Sequence, residues 1–516
     1  MHAFRILALV SLVGFCVPAF AETYYVDCQG GRDEHSGTGP KSAWRSLSAV
    51  NRRTFQPGDR ILLRAGCQWT GPLAPQGSGA PGNPIVVESY ERGARPRIDG
   101  GGVEAAILLD DQEYWEINNL AVTDDAPVEG FRHGVLVRGG KSGRTLHHIY
   151  LKYINVQRVK GNLGADIASQ NTGGIGFEVR GAPAGAPARF DDILVDHCFV
   201  AKVDSVGIYT WSEPAPHPRD PRWEQSRFTH VRISHNWLRD IGKNAIVIRA
   251  SLAPLIENNV VERSSQRLHG NAISVSGCKD AVLQLNEVYG TRFDKTEGAA
   301  FDSGYNSEGT VIQYNYSHDN GGGLVDLSSD PGSPAPPGYN DGTVVRYNIS
   351  QNDLNRVFGF DGPVTNTYIY NNTVYIGPGR SPRIVDFATF GQALNYASRT
   401  SFRNNIIDNA GSGTYVWGKS TQNIFEYNCF FGDHPAGEPT DPEKIVAGPL
   451  FVTPGAGAAG RDSVDGYKLK PGSPCIDSGK EIPGHGERDY WGNKLYTGAP
   501  DRGAHERPGD SPVRQH

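Results

Sequence analysis

The stretches Ile233-Ser234-His235-Asn236-Trp237 and Ile256-Glu257-Asn258-Asn259-Val260 share an asparagine set between apolar positions, and their asparagines 236 and 259 lie 23 residues apart. The same asparagine recurs at positions 119, 155, 286, 315, 348, 372, 405 and 428, and Cys198 replaces it in one repeat. Further steps are 27 residues (259 to 286), 29 (286 to 315) and 24 (348 to 372), the lengths of one β-helix turn with inserted loops. Asparagine tolerates left-handed backbone at a tight corner, and its amide can hydrogen-bond to the same residue in the neighbouring coils.

Each asparagine motif is followed by a bend and a segment in which apolar and polar residues alternate, which predicts a strand with one buried face. These segments are 174–180, 207–211, 244–250, 271–277, 299–303, 323–328, 356–362, 383–388 and 413–417. The leucine lattice of a leucine-rich repeat is absent, and a propeller needs antiparallel blades of about 40 residues. The sequence therefore predicts an all-β, single-stranded right-handed parallel β-helix of about eleven coils. An amphipathic helix over 42–55, carrying Trp44, Leu47 and Val50, is expected to cap its first coil.

The two ends of the chain predict an exported protein. Arg5, an apolar stretch over 6–17 and Ala19-Phe20-Ala21 form the pattern of a signal peptide cleaved after Ala21. The stretch is too short to span a membrane, which takes about 20 apolar residues. We expect residues 1–21 to be the signal peptide, 22–506 one β-helix domain with terminal caps, and 507–516 a disordered tail. The predicted location is secreted or periplasmic.

The charge and the cysteine content of the chain limit which binding partners and metal sites we expect. The net charge of −6 argues against the basic face that nucleic-acid binding requires, and we expect no nucleic acid, no membrane and a monomer. The six cysteines that follow the signal peptide match no zinc-site spacing, so we predict no metal site from them. Export permits disulfides, and Cys28 and Cys67 both lie in the region of the first coils, which makes them a candidate pair.

Several short motifs resemble those of secreted bacterial right-handed parallel β-helix proteins of the pectin-lyase-like superfamily. They are Tyr24-Tyr25-Val26-Asp27, Ser36-Gly37-Thr38, Pro57-Gly58-Asp59, the run from Gln313 to Asn320, and the tail from Ser473 to Asp477. The resemblance covers nearly the whole mature chain and implies the fold and action on polysaccharides. Members of such families are lyases, hydrolases, epimerases, phage-tail proteins or adhesins, so the resemblance does not choose the reaction.

Four successive coils place an aspartate on the outer face of the predicted groove: Asp302, Asp326, Asp361 and Asp386. Aspartate is depleted in strands, and like charges stacked this closely raise one another's pKa. Register set by the buried pairs makes Asp302–Asp326 and Asp326–Asp361 diagonal neighbours, with backbones roughly 8 Å apart. That separation suits the carboxyls of an inverting glycosidase, about 6.5–9.5 Å, while the shorter retaining spacing stays open. We predict Asp302, Asp326 and Asp361 as catalytic and Asp386 as substrate-binding. Polygalacturonases also gather aspartates on this face, but their Asn-Thr-Asp and His-Gly motifs are absent from the matching strands.

Other side chains of the same face are predicted to hold the substrate. Arginine binds hydroxyl or carboxylate groups, and tryptophan stacks on a sugar ring. The predicted substrate-binding residues are Arg180, Tyr209, Trp211, Arg249, Arg356 and Lys295. Lys295 and Glu297 lie in the loop before the Asp302 strand and are expected to overhang the groove.

Three functions fit these residues. The favoured one is a glycoside hydrolase that cleaves a polysaccharide with paired aspartates. The second is a polysaccharide lyase, in which Lys295 or Arg249 removes a proton next to a uronate carboxylate and calcium held by aspartate stabilises the enolate. The third is a non-catalytic glycan-binding or surface protein. An unsaturated product distinguishes the lyase, and an epimerase would change composition without releasing fragments.

Overall fold

Parallel β-strands make up nearly all of the regular structure. The computed structural model describes residues 21–508 except 141–142, 165–170, 182–186, 216, 296, 331–337 and 390–394. Within these residues the strands form three long sheets in which neighbouring strands run parallel. The predicted right-handed parallel β-helix is confirmed. The predicted signal peptide and most of the predicted tail lie outside the described residues and stay predictions.

Each coil contributes to the three sheets in turn. The first sheet contains Thr23–Val26, Arg60–Arg64, Ile85–Tyr90, Trp115–Asn118, Thr145–Lys152, Arg189–Asp196, Phe228–Ser234, Ser251–Leu252, Leu255–Glu257, Val282–Gln284, Ser307–Glu308, Val311–Gln313, Asn340–Asp341, Val344–Arg346, Val364–Tyr370, Ser398–Arg403 and Ile424–Glu426. The second contains Gln68–Thr70, Arg97–Asp99, Ala121–Asp124, Asn155–Val159, Phe199–Val203, Trp237–Ile241, Val260–Glu262, Glu287–Tyr289, Tyr316–His318, Ile349–Gln351, Thr373–Ile376, Ile406–Asn409 and Cys429–Gly432. The third contains Ala105–Asp110, His133–Gly139, Gly173–Val179, Val206–Ser212, Ile246–Arg249, Ile273–Ser276, Ala299–Ser303, Gly323–Ser328, Arg356–Asp361, Arg383–Ala388 and Thr414–Val416. Thr54–Phe55 and Gln76–Gly77 form a separate pair.

The third sheet carries the predicted groove on its outer face and part of the core on its inner face. One inward row consists of Ile246, Ile273, Phe301, Val325, Phe358 and Val385, all buried. Burying such a side chain contributes about 1.5–3 kcal/mol, so a row repeated through the coils fixes which residues face outward.

The predicted asparagine ladder is present from Asn236 to Asn428. In each step the backbone N–H and the side-chain amide of one asparagine donate to Oδ1 of the next, as from Asn286 to Asn315 at 2.9 and 3.1 Å. Cys198 donates its N–H to the first member, and Asp441 accepts from the last. The residue with left-handed backbone is the one before the ladder asparagine, such as His235 or Leu285, which corrects the predicted reason for asparagine. Asn119 and Asn155 lie outside the ladder, since the equivalent positions are Leu120 and Ile154.

The N-terminal cap is mostly extended chain, which corrects the predicted helix over 42–55. The α-helix covers Leu47–Asn51 alone, after a 3-10 turn at Pro40–Ser42. Trp44 lies before the helix, pairs with Val26 as a strand residue and stacks on Tyr24. The candidate disulfide Cys28–Cys67 is formed, with the two Cα atoms 5.7 Å apart.

The C-terminal segment packs along the side of the coils. Its 3-10 helix Arg461–Tyr467 joins a cluster with Tyr316 and Ile349 of the second sheet. Arg502 donates to the carbonyl of Asn428 at 2.8 Å, which fixes the segment to the end of the ladder. A short helix, Trp223–Ser226, lies in the loop after the strand Val206–Ser212. Among the described residues, no helix is long and apolar enough to cross a membrane.

Candidate active site

The strand register places Asp302 and Asp326 side by side. Ser274 pairs with Asp302, and Asp302 pairs directly with Asp326 on the next strand. The predicted diagonal arrangement of these two aspartates is therefore wrong, and their strands lie about 4.8 Å apart. Asp361 pairs with Ser328, two residues beyond Asp326, so the predicted diagonal between Asp326 and Asp361 is confirmed.

Asp302, Asp326 and Asp361 line one cleft, which we call the acidic cleft. It has a volume of about 140 Å³, and its wall also contains Lys243, Asn244, Arg249, His269, Asn271, Ser274, Ser276, Glu297, Gly304, Tyr305 and Ser328. Of the predicted substrate-binding residues, Arg249 lies in this wall. Burial lowers the pKa of its guanidinium.

Arg356 lies behind the cleft and ties two of its carboxylates together. Its guanidinium donates to both oxygens of Asp326 at 3.1 and 3.2 Å and to both oxygens of Asp361 at 2.8 and 2.5 Å. The side chain crosses Gly359, where an added Cβ would lie 2.8 Å from Nε of Arg356. Arg356 is 5% exposed and does not line the cleft. Its hydrogen bonds therefore serve to hold the two aspartates in place. The structure thus gives the predicted substrate-binding Arg356 a buried position.

Asp302 and Asp326 have different partners although they are neighbours. Asp302 accepts a hydrogen bond from the Ser274 hydroxyl. Burial raises the pKa of Asp302 to about 7, with the carboxylate of Glu297 adding to the effect and the Ser274 hydrogen bond opposing it. Burial also raises the pKa of Asp326 well above its ordinary value, against the opposing charge of Arg356. Two neighbouring buried carboxyls titrate as a unit, which gives the cleft a proton to donate near neutral pH.

Loops before the strands supply cleft residues that the alternation did not identify. Lys243 and His269 precede two neighbouring strands and were not predicted as site residues. Burial raises the pKa of Glu297, and the charges of His269 and Lys243 oppose that rise. One signal was present in the sequence: Asn244 and Asn271 each stand two residues before their strand. Oδ1 of Asn271 accepts the N–H groups of residues 298 and 299, which shapes the loop that carries Glu297.

Arg180 and Trp211 lie in a second cleft of the same sheet, which we call the distal cleft. Its volume is about 380 Å³, and its wall contains Glu104, Phe131, His133, Asn171, Glu178, Arg180, Trp211 and Glu213. Tyr209 is fully buried under this cleft and is not part of its wall. Of the predicted substrate-binding residues, Arg249 thus lines the acidic cleft, and Arg180 and Trp211 line the distal cleft.

Besides Arg356 and Tyr209, two further predicted residues lie outside both clefts. Lys295 is an exposed turn residue. Asp386 follows Gly359 in the row of Asp326, is buried, and accepts a hydrogen bond from Arg383 at 2.6 Å. Among the described residues, two groups have three possible metal ligands within 4.8 Å of one another, Asp27 with Cys28 and Cys67, and Asp196 with His197 and His235. Neither group contains a residue of the acidic cleft.

Sequence comparison identifies a curated relative of this chain. No protein-family model matches the chain. The chain is similar to lacto-N-biosidases. A curated lacto-N-biosidase of Bifidobacterium longum subsp. longum is 26% identical over 599 aligned residues, covering 94% of this chain and 36% of that protein. The chain thus spans about a third of the length of this curated relative.

Two crystal structures of a GH136 lacto-N-biosidase from Eubacterium ramulus share the fold. The selenomethionine form is 24% identical with a TM-score of 0.62, covering 79% of this chain and 67% of that one. The native form gives the same identity and TM-score over 78% and 68%. These likenesses support the parallel β-helix architecture with its long sheets.

Proposed function

We propose that this protein is an exported glycoside hydrolase that cleaves a neutral glycan with Asp302 and Asp326. The observation that carries the proposal is the direct pairing of these two aspartates on neighbouring strands. Strands about 4.8 Å apart suit the carboxyl separation of about 5–5.5 Å found in retaining glycosidases. The sequence similarity to a lacto-N-biosidase supports the same reaction class.

The partners of the two aspartates assign their roles. Arg356 donates two hydrogen bonds to Asp326, whereas Asp302 accepts from the neutral Ser274. When the pair holds one proton, the guanidinium favours the charge on Asp326 and leaves the proton on Asp302. Asp302 then protonates the leaving glycosidic oxygen while Asp326 attacks the anomeric carbon and forms a covalent glycosyl ester. Asp302, now ionised, removes a proton from the water that hydrolyses this ester, which regenerates both carboxyl groups.

The charges of the two clefts favour a neutral substrate over a uronate polymer. In the distal cleft, Glu104, Glu178 and Glu213 outnumber Arg180. The acidic cleft has three aspartates and Glu297 against Lys243 and Arg249. A polymer with a carboxylate on each sugar would therefore be repelled, most strongly in the distal cleft. The first substrate class to test is therefore a glycan that contains lacto-N-biose, which the name of the relatives indicates.

The site of action is proposed to be outside the cytoplasm. The disulfide Cys28–Cys67 supports this, since such bonds form and persist in oxidising compartments. Calcium is proposed only for the lyase alternative.

The test is a product screen on neutral glycans, including nitrophenyl lacto-N-bioside, and on uronate polymers, with and without a chelator. We expect released reducing sugar from a neutral glycan, no ultraviolet-absorbing unsaturated product, and no loss of rate with chelator. Asp302→Asn and Asp326→Asn should each lower kcat by about 10²–10⁴-fold. Asp240→Asn, on the second sheet, is the matched control and should keep wild-type rates. An unsaturated product, or unchanged rates in both cleft variants, would refute the hydrolase.

A further inference from the structure

The distal cleft has the wall of a sugar-binding site. Trp211 is partly buried against Val206, Tyr209 and Val247 and faces the cleft. Phe131, a second aromatic ring in the wall, is 55% exposed and therefore accessible to a ligand. Aromatic faces and charged hydrogen-bonding groups in one concave site are the combination that binds an amphipathic ligand such as a sugar ring.

A buried polar network holds the floor of the distal cleft rigid. The Tyr209 hydroxyl donates to Oε1 of Glu178 at 2.6 Å and lies 2.8 Å from Nε2 of His133. Arg180 donates twice to the other oxygen of Glu178, at 3.1 and 3.0 Å. The Tyr209 ring occupies the space above Gly176, where an added Cβ would lie 2.5 Å from the hydroxyl oxygen.

The network also fixes the charge of Glu178. Burial opposes ionisation, but hydrogen bonding and charge from His133, with the hydrogen bond from Tyr209, hold its pKa down at about 2. This buried carboxylate, kept ionised, in turn orients Arg180, whose side chain is 50% exposed. Nothing in the proposed hydrolysis uses these residues, although such a network on the outward face of a sheet is expensive to bury.

The two clefts are neighbours on the outer face of the third sheet. Trp211 is two residues past Tyr209, which pairs with Val247, so Trp211 lies beside Arg249 of the next strand. Arg249 is already in the wall of the acidic cleft. From the Trp211 strand to the Asp302 strand there are three strand spacings, roughly 14 Å. A glycan bound at both places must extend several sugar units beyond the bond that is cleaved.

We propose that the distal cleft is a glycan subsite, in which Trp211 stacks on a neutral sugar while Arg180, held in place by Glu178, hydrogen-bonds its hydroxyl groups. The proposal rests on the proposed function for its direction, since Asp302 and Asp326 define where cleavage occurs. The substrate is then an extended neutral oligosaccharide. The enzyme distinguishes long chains from short ones by binding them at a site three strands from the reaction.

The kinetic test compares a long neutral oligosaccharide with the short nitrophenyl glycoside. Trp211→Ala should lower the ratio of their kcat/KM values roughly tenfold, through KM for the long substrate. Trp211→Phe, which keeps an aromatic face, should restore most of that ratio. The matched control Trp237→Ala removes an exposed tryptophan of the second sheet and should leave the ratio unchanged. Equal ratios for wild type, Trp211→Ala and Trp237→Ala would overturn the subsite.

A binding measurement separates this proposal from the hydrolase itself. Calorimetric titration with the neutral oligosaccharides needs no turnover and uses wild type, Asp302→Asn and Trp211→Ala. Binding by the first two and roughly tenfold weaker binding by Trp211→Ala supports the subsite even if no glycan is cleaved. Binding that Trp211→Ala leaves unchanged overturns it, whether or not the wild type is a hydrolase.

Discussion

Replacing the acid Asp302 by asparagine is expected to stabilise the protein at alkaline pH. Burial raises the folded-state pKa of Asp302 to about 7 from an ordinary value of 3.8. The folded protein therefore binds this proton more tightly than the unfolded chain does. The resulting stability is fully present below about pH 4 and is lost as the pH rises through about 7. Asparagine carries no proton to lose, so the variant avoids that loss.

The size of the expected stabilisation follows from the shift in the pKa of Asp302. Three pKa units correspond to about 4 kcal/mol at 1.36 kcal/mol per unit. Asparagine forms a weaker set of hydrogen bonds with Ser274 and its neighbours, which removes about 1 kcal/mol. The free energy of unfolding of Asp302→Asn should exceed that of the wild type by about 3 kcal/mol at pH 8.5, with little or no gain at pH 4.

The assay is urea unfolding followed by circular dichroism at both pH values. Asp386→Asn is the control, because this buried aspartate has an ion pair with Arg383 and should gain nothing at alkaline pH. A difference between Asp302→Asn and wild type that is the same at both pH values would show that Asp302 is ionised throughout, and the assignment of the acid would be wrong.

Three further outcomes are expected. The rate of glycan hydrolysis should fall above about pH 7 as Asp302 ionises, and a rate–pH profile that is flat to pH 9 would contradict its role as acid. Gly359→Ala places a Cβ 2.8 Å from the buried guanidinium and should lower kcat at least tenfold, whereas Gly39→Ala, with its nearest contact at 3.4 Å, should match wild type in the same assay. Asn315→Ala breaks the ladder on both sides and should lower the free energy of unfolding by about 3 kcal/mol or more in urea titration, while Asn155→Ala, outside the ladder, should have less than half that effect.

The fold was predictable because each coil repeats its corner and its alternating strand. The asparagine interval gave the coil length, and the apolar alternation gave the buried face of the third sheet. The register at Asp302 was not predictable from alternation, since a shift of two residues leaves the same side chains facing inward. The buried Ser303 takes the inward position opposite Leu327, so matching apolar pairs aligned this strand two residues away from its true partners.

The site was predictable in part for the same physical reasons. The outward aspartates could be identified because aspartate is unusual in strands. The buried position of Arg356 depends on the empty space at Gly359, and the cleft positions of Lys243 and His269 depend on loop paths. Neither is encoded in the period of the strand pattern. The floor of the distal cleft likewise depends on the position of the Tyr209 ring over Gly176.

The most direct test of the paired aspartates is the anomeric configuration of the first product, followed by proton NMR during hydrolysis of a neutral glycan. Direct pairing of Asp302 with Asp326 predicts that the released sugar first appears with the configuration of the substrate and then equilibrates. A first product of inverted configuration would contradict the account, because it requires the wider carboxyl separation of about 6.5–9.5 Å that this pair does not provide.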